Sequence, residues 1–174
     1  MQETIVNRVA NSGLISLDLE NYYPTDKFLE LDMAQALFQG IILREKDFRI
    51  WVKEHDWTKY QDAQVAIYCS ADAIVPAWAY MIVATQLGGY ASRVHQGTLA
   101  SLVASKFLSN VQAINWKTYE GAKVVVKGCS NKEVPESVYT EVAFQLQALA
   151  SSIMYGEPCS TVPVYKTKKQ KADK

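Results

Sequence analysis

The hydrophobic pattern of the chain becomes regular at about residue 60. From there, short β-rich runs alternate with longer segments whose apolar residues recur at helical spacing. The predicted strands are 63–68, 92–95, 122–127 and 152–155, and the predicted helices are 76–87, 99–114 and 135–150. Strands separated by helices of this length require βαβ crossovers. The pattern therefore predicts an α/β fold with a mainly parallel sheet.

The N-terminal region is less regular. Residues 14–19 alternate between apolar and polar, which is typical of an edge strand, whereas 29–43 and 46–53 have helical patterns. No Gly/Ser-rich linker divides this region from the rest, so we predict one α/β domain over residues 1–165. The Lys-rich residues 166–174 lack apolar periodicity and predict a disordered, solvated tail.

The predicted helix 76–87 is apolar almost all round. It starts with Pro76, which suits a first helical turn, and Gly88 and Gly89 end it. A helix of this composition belongs in the middle of a structure or beneath a partner. The sequence leaves open whether this helix is central or lies at a homodimer interface.

The composition narrows the class of protein. The chain has 174 residues, of which 49% are hydrophobic and 21% charged, and its formal net charge is zero. These values fit a globular domain and give no basis for binding nucleic acid or an anionic membrane. The first residues lack the pattern of a secretory signal, which predicts a cytoplasmic protein with reduced thiols.

The three cysteines share one local context. Cys69, Cys129 and Cys159 are each followed by Ser and, a few residues later, by a Val-Pro pair. The first two copies continue into a predicted helix, and the third does not. An internal duplication and repeated use of one βα turn both explain this pattern. Parallel strands would bring all three cysteines to the carboxyl edge of the same sheet, where α/β folds bind ligands.

Three converging thiolates favour metal binding. The start of a helix stabilises a thiolate at Cys69 and Cys129, and three sulfur ligands suit an iron–sulfur cluster or a zinc ion. Further side chains are candidates for an additional ligand or for hydrogen bonds to the ligands: His55, Asp72, Glu157, Ser70, Ser130 and Ser160.

Two other functions stay open at this point. The cysteines are also typical small core residues, which would fit a non-enzymatic interaction or structural protein. Alternatively, one cysteine is the nucleophile of a thiol enzyme. The sequence has no nucleophile elbow, phosphate loop or dinucleotide fingerprint, so no catalytic residue is assigned and enzymatic activity is left open.

Several long segments resemble one bacterial family, catalogued as domain of unknown function 2480. The resemblance runs from about residue 14 to 166 and is most specific in 42–49, 53–57, 69–80, 126–130 and 156–163. It implies a role beside the SUF system of iron–sulfur cluster assembly, as a carrier, scaffold or accessory protein with assembly proteins as partners. The resemblance transfers no catalytic residues.

Overall fold

The computed structural model describes residues 13–128 and 131–167, and the chain divides into two compact units. The central unit comprises Thr25–Ser105, and the flanking unit combines the chain before and after it. Each unit has its own sheet and its own hydrophobic core. The single domain over residues 1–165 stays a prediction.

Strands and helices alternate along most of the described chain. In chain order they are β1 (Leu14–Asp18), β2 (Phe28–Asp32), α1 (Glu45–Glu54), β3 (Gln64–Tyr68), α2 (Ala77–Leu87), β4 (Arg93–Gln96), α3 (Leu99–Gln112), β5 (Lys123–Lys127), α4 (Glu136–Gln147), β6 (Ser152–Glu157) and β7 (Ser160–Lys166). Short 3₁₀ turns lie at Leu19–Tyr22, Met33–Ala36, Thr58–Tyr60 and Trp116–Tyr119.

The mainly parallel α/β architecture is confirmed, but the strands form two sheets. The flanking unit has the strand order β1-β5-β6-β7, and the central unit has β2-β3-β4. All neighbours are parallel except β6 and β7. The expectation of a single sheet is wrong because β1 pairs with β5 whereas β2 pairs with β3, so each early strand starts a separate sheet.

The two units repeat one arrangement. In the central unit Gln64 pairs with Phe28 on one side and Arg93 on the other. In the flanking unit Lys123 occupies the equivalent position, paired with Leu14 and Ser152. The strand order β1-β5-β6 thus matches β2-β3-β4 both in the order of the strands along the chain and in their register. Of the two explanations for the repeated Cys-Ser context, this match favours an internal duplication.

The third Cys-Ser context has a different structure. Residues 158 and 159 form the turn of a hairpin between β6 and β7, and Val162 and Pro163 lie within β7. The turn is assisted by Gly156, whose φ of +113° is accessible to glycine and whose added Cβ would lie 2.7 Å from the carbonyl oxygen of Ser160. The third context is therefore no copy of the βα turn.

For the N-terminal region, two predicted elements are confirmed and one is wrong. The strand predicted at 14–19 is β1 at a sheet edge, and the helix predicted at 46–53 is α1. The helix predicted at 29–43 is wrong. This segment contains β2, in which Leu29 and Leu31 alternate with Glu30 and Asp32, and then a 3₁₀ turn. Pairing with β3 overrides the helical spacing of the apolar residues.

Helix α2 buries only one stripe, and its apolar composition continues onto the exposed side. Ala79, Val83 and Leu87 are buried against the central core, while 67% of Met81 is exposed. Of the two positions that the sequence left open for this helix, a central one is not what the described chain shows by itself, because part of the apolar surface is exposed. Within the described ranges, none of the helices combines the length and apolarity needed to cross a membrane.

The last strand extends one residue into the segment that the sequence assigns to the tail. Lys166, assigned to the tail from the sequence, is the last residue of β7, and the backbone N–H of Thr167 donates to Ser151 at 3.0 Å. The rest of the Lys-rich segment, from residue 168, lies outside the described residues.

Candidate functional site

The cysteines that the sequence predicts as metal ligands do not all lie in the same part of the fold. Cys69 follows β3 in the central unit, is half-buried, and its Sγ lies 3.6 Å from the carbonyl oxygen of Ala71. Cys159 is exposed in the β6–β7 turn of the flanking unit. Both are free thiols, and Cys129 lies outside the described residues. The expected shared edge is wrong for Cys69, because β3 and β6 belong to separate sheets.

The carboxyl edge of the central sheet carries a compact polar cluster around Asp32. The carboxylate accepts hydrogen bonds from the Ser70 backbone N–H at 3.0 Å, from the Ser70 hydroxyl at 2.5 Å, and from the Ala34 N–H at 2.9 Å. Burial opposes ionisation, but these hydrogen bonds together outweigh it, and the pKa of Asp32 lies below its ordinary value. Ser70 therefore positions the loop that begins at Cys69.

Tyr80 on α2 borders the same cluster. Burial, followed by the charges of Cys69 and Asp32, raises the pKa of Tyr80. The phenol therefore stays protonated across the physiological range and faces a thiol and a carboxylate. Sequence reasoning missed both Asp32 and Tyr80. The repeat contains the signal for them, since Leu31-Asp32 corresponds to Leu17-Asp18 and Tyr80 corresponds to Tyr139.

The flanking unit has an ion cluster at the equivalent edge. Lys127, the last residue of β5, lies 3.2 Å from the Asp18 carboxylate and 3.8 Å from that of Glu157. The hydrogen bond to Asp18, the charge of Asp18 and the charge of Glu157 raise the pKa of Lys127. These contacts join the carboxyl ends of β1, β5 and β6. Lys127 replaces Tyr68 of the central unit, so the two equivalent edges differ in charge.

Two further hydrogen bonds fix the segment around the undescribed residues 129 and 130. The Tyr139 hydroxyl donates to the Gly128 carbonyl oxygen at 2.6 Å, and the Asn131 backbone N–H donates to the Glu20 carboxylate at 2.9 Å. Gly128 has a φ of +147°, and a Cβ there would lie 2.9 Å from the Leu19 Cβ. The chain is thus held on both sides of Cys129.

The structure supports no close set of metal ligands in the part of the chain it describes. In residues 13–128 and 131–167, no three His, Cys, Asp or Glu side chains lie close enough together to hold a metal ion. Asp72 is exposed in the loop after Cys69, and Ser160 is the exposed first residue of β7. Ser130 lies outside the described residues.

His55 lies among aromatic rings. Its ring centroid is 4.6 Å from that of Trp51 and 4.6 Å from that of Trp57, and its Nε2 is 3.4 Å from the Tyr60 hydroxyl. Burial, then the charge of Lys59, lowers the pKa of His55. The environment favours a neutral, packed imidazole, so His55 serves the central unit as an aromatic packing residue.

Comparison with known proteins identifies one family. A family model described as "Protein of unknown function (DUF2480)" matches residues 3–167. Neither the curated proteins nor the solved structures gave a match. Because the family model covers nearly the whole chain, the protein belongs to the DUF2480 family.

Proposed function

We propose that this protein binds a metal ion or an iron–sulfur cluster through cysteine thiolates and acts as a non-enzymatic accessory protein in iron–sulfur cluster assembly or delivery. The ligands of this proposal are Cys129 and Cys159, both in the flanking unit, and the partners are iron–sulfur assembly proteins. Free thiolates are soft ligands that suit zinc and iron–sulfur clusters. In the proposal a bound cluster is cargo or cofactor, and the chain supplies its ligands.

The observation that carries the proposal is the adjacency of the ends of β5 and β6. The strands are parallel neighbours, and the Lys127 ammonium lies 3.8 Å from the Glu157 carboxylate across their ends. Cys159 follows Glu157 by two positions, and Cys129 follows Lys127 by two positions in the sequence. An exposed thiol therefore lies beside the strand end that leads to a second cysteine. This geometry supports a thiolate pair in the flanking unit.

This edge also carries charged side chains that link the strand ends. The ammonium of Lys127, at the end of β5, lies 3.8 Å from the Glu157 carboxylate at the end of β6. The Asp18 carboxylate holds that ammonium in place at 3.2 Å. Cys69 is a half-buried free thiol of the central unit with a different set of neighbours, so the proposed thiolate pair does not include it.

The proposal is tested on protein purified without oxygen. Ultraviolet–visible spectra, together with iron, sulfide and zinc analysis, are measured before and after anaerobic cluster reconstitution. Cys129→Ser and Cys159→Ser should each lose most of the bound metal, because removing one of two neighbouring thiolates destroys the site. Ser160→Ala, next to Cys159, is the matched control and should keep the metal. Colourless, metal-free wild-type protein after reconstitution contradicts the proposal.

A specific surface favours a second candidate, a protein-interaction module with unliganded cysteines. Around α2 the side chains of Ile74, Trp78 and Met81 are 92%, 36% and 67% exposed, and such apolar clusters commonly mark protein interfaces. This candidate predicts that a variant with all three cysteines replaced by Ser still binds its assembly partner. Loss of metal and partner binding together in that variant supports the thiolate proposal instead.

A further inference from the structure

Among the described residues, the last strand of the central sheet, β4, has a free edge that its counterpart in the flanking unit lacks. Within residues 13–128 and 131–167, β4 pairs with β3 alone, whereas the equivalent strand β6 pairs with β5 on one side and with β7 on the other. The same chain therefore displays the equivalent edge once covered and once open. The strand that covers the edge of β6 is β7, which runs antiparallel to it.

The pockets beside these two equivalent strands differ in the same way as the strand edges. In the flanking unit, a pocket of about 430 Å³ lies between α4 and the strands, and its lining includes Val164 of β7. The equivalent pocket of the central unit, about 300 Å³, lies between α2 and the strands and is lined by Tyr80, Met81 and Val94. No strand of the described central unit provides the side chain that Val164 provides in the other unit. Met81, at the mouth of this pocket, is 67% exposed.

The sheet edges differ in the features that prevent pairing between molecules. The outer strand β7 contains Pro163, ends in Lys166, and pairs with β6 through a register irregularity. Proline, lysine and bulges are the usual devices that keep an edge strand from pairing. β4 has no proline and no register irregularity. At the opposite edge of the same sheet, β2 carries Glu30 and Asp32, whose carboxylates would repel each other in a self-paired strand.

The Arg93 and His95 side chains of β4 lie on the side of the strand away from the pocket. The Arg93 guanidinium donates to the Ser105 hydroxyl at 3.0 Å, and the His95 Nε2 lies 2.9 Å from the Ser101 hydroxyl, both on α3. Because side chains alternate along a strand, Val94 and Gln96 lie on the opposite face, where they line the pocket beneath α2. The face that would meet a neighbouring strand beside α2 is therefore uncharged.

From these observations we infer that the β4 edge pairs with the β4 edge of a second copy of this chain. Two identical strands related by a two-fold axis pair antiparallel, which is the orientation in which β7 covers β6. Pairing would join two three-stranded sheets into one of six strands. It would also bring Met81 and Val94 of one copy against their equivalents in the other copy, and so cover the open pocket.

The inference is tested by sedimentation velocity across the micromolar range, with wild-type protein and two matched variants. Met81→Glu should weaken dimerisation about a hundredfold or more, because it buries an unpaired carboxylate in the interface. Thr140→Glu introduces the same carboxylate at the equivalent, exposed position of α4 and should leave the dimer intact. A monomeric wild type, or a dimer equally stable in Met81→Glu, overturns the inference.

Hydrogen exchange distinguishes pairing of the strand edges from any other dimer. The amides of Arg93–Gln96 should exchange more slowly at high than at low wild-type concentration, and this difference should vanish in Met81→Glu. A dimer whose β4 amides exchange at the same rate at all concentrations also overturns the inference. Circular dichroism verifies that Met81→Glu is folded, as expected for a position whose side chain is exposed.

Discussion

At the scale of the residue, His55 illustrates how a titratable group becomes part of a packed surface. Two tryptophan rings flank it, and burial raises the pKa of its other ring neighbour, Tyr60, to about 12. Burial disfavours the charged imidazole, and nearby Lys59 disfavours it further. The folded protein therefore binds a proton at His55 less readily than the unfolded chain does.

This pKa shift makes the stability depend on pH. The pKa of His55 is lowered from 6.5, so its contribution to stability is full above that pH and declines as the pH falls through the window below it. Urea unfolding at pH 7.5 and 5.5 should show a smaller loss of stability in His55→Phe than in the wild type. Equal losses in the two proteins would show that the ring is solvated.

A second prediction concerns Gly128, where backbone and packing restrict the residue together. Its φ of +147° disfavours other residues, and a Cβ would lie 2.9 Å from the Leu19 Cβ and 3.3 Å from the Val134 Cγ2. Gly128→Ala should destabilise the protein by about 2 kcal/mol or more in chemical unfolding. Gly121→Ala is the control: its φ is +68° but no atom lies within 4 Å, so about 1 kcal/mol is expected.

At the scale of the element, one carboxylate links a strand, a 3₁₀ turn and a loop. Asp32 ends β2, caps the turn Met33–Ala36 through the Ala34 N–H, and binds both donors of Ser70. Its counterpart Asp18 caps the turn Leu19–Tyr22 through the Glu20 N–H, but its second partner is the ammonium of Lys127. The same capping position thus bonds to a loop in the central unit and to the end of strand β5 in the flanking unit.

Removing Asp32 should therefore cost more stability than removing Asp18. We expect Asp32→Ala to destabilise the protein by about 1 to 3 kcal/mol, because it removes a cap and two hydrogen bonds from Ser70 to a charged acceptor. A double-mutant cycle with Ser70→Ala should give a coupling of about 0.5 kcal/mol or more. Asp18→Ala should cost less, since a surface ion pair contributes little. Additive effects of the Asp32 and Ser70 substitutions would contradict this account.

At the scale of the whole molecule, the chain builds two hydrophobic cores from one repeated pattern. Val83 of α2 and Val142 of α4 occupy equivalent positions, and both are fully buried. Each belongs to a different core cluster. The repeat therefore offers pairs of positions at which one substitution can be compared in two related environments.

The two cores should respond independently to truncation. Val83→Ala and Val142→Ala are each expected to cost about 2 kcal/mol in the free energy of unfolding, from lost burial plus a small cavity. The double variant should lose the sum, since residues that share no partners behave additively. Guanidinium unfolding measures all three variants. A double variant no less stable than the single ones would show that only one core limits stability.

Local pattern and composition were sufficient for much of the secondary structure. The β-rich runs before Cys69 and Cys129 are β3 and β5, and the predicted helices that follow the first two Val-Pro pairs are α2 and α4. These predictions hold because helical periodicity, β-propensity and proline position act within a few residues. The alternation of strand and helix also requires parallel crossovers, which fixes the fold class.

Tertiary structure alone decided how the strands pair. The choice of β5 for β1 and of β3 for β2 depends on contacts between distant segments, and local spacing cannot encode it. The same pairing separates Cys69 from Cys159 into two sheets and brings Asp32 to Ser70. The sequence by itself thus determined most of the strands and helices after residue 60 and the repeated Cys-Ser context. The long-range pairing of parallel strands determined which side chains meet at each sheet edge.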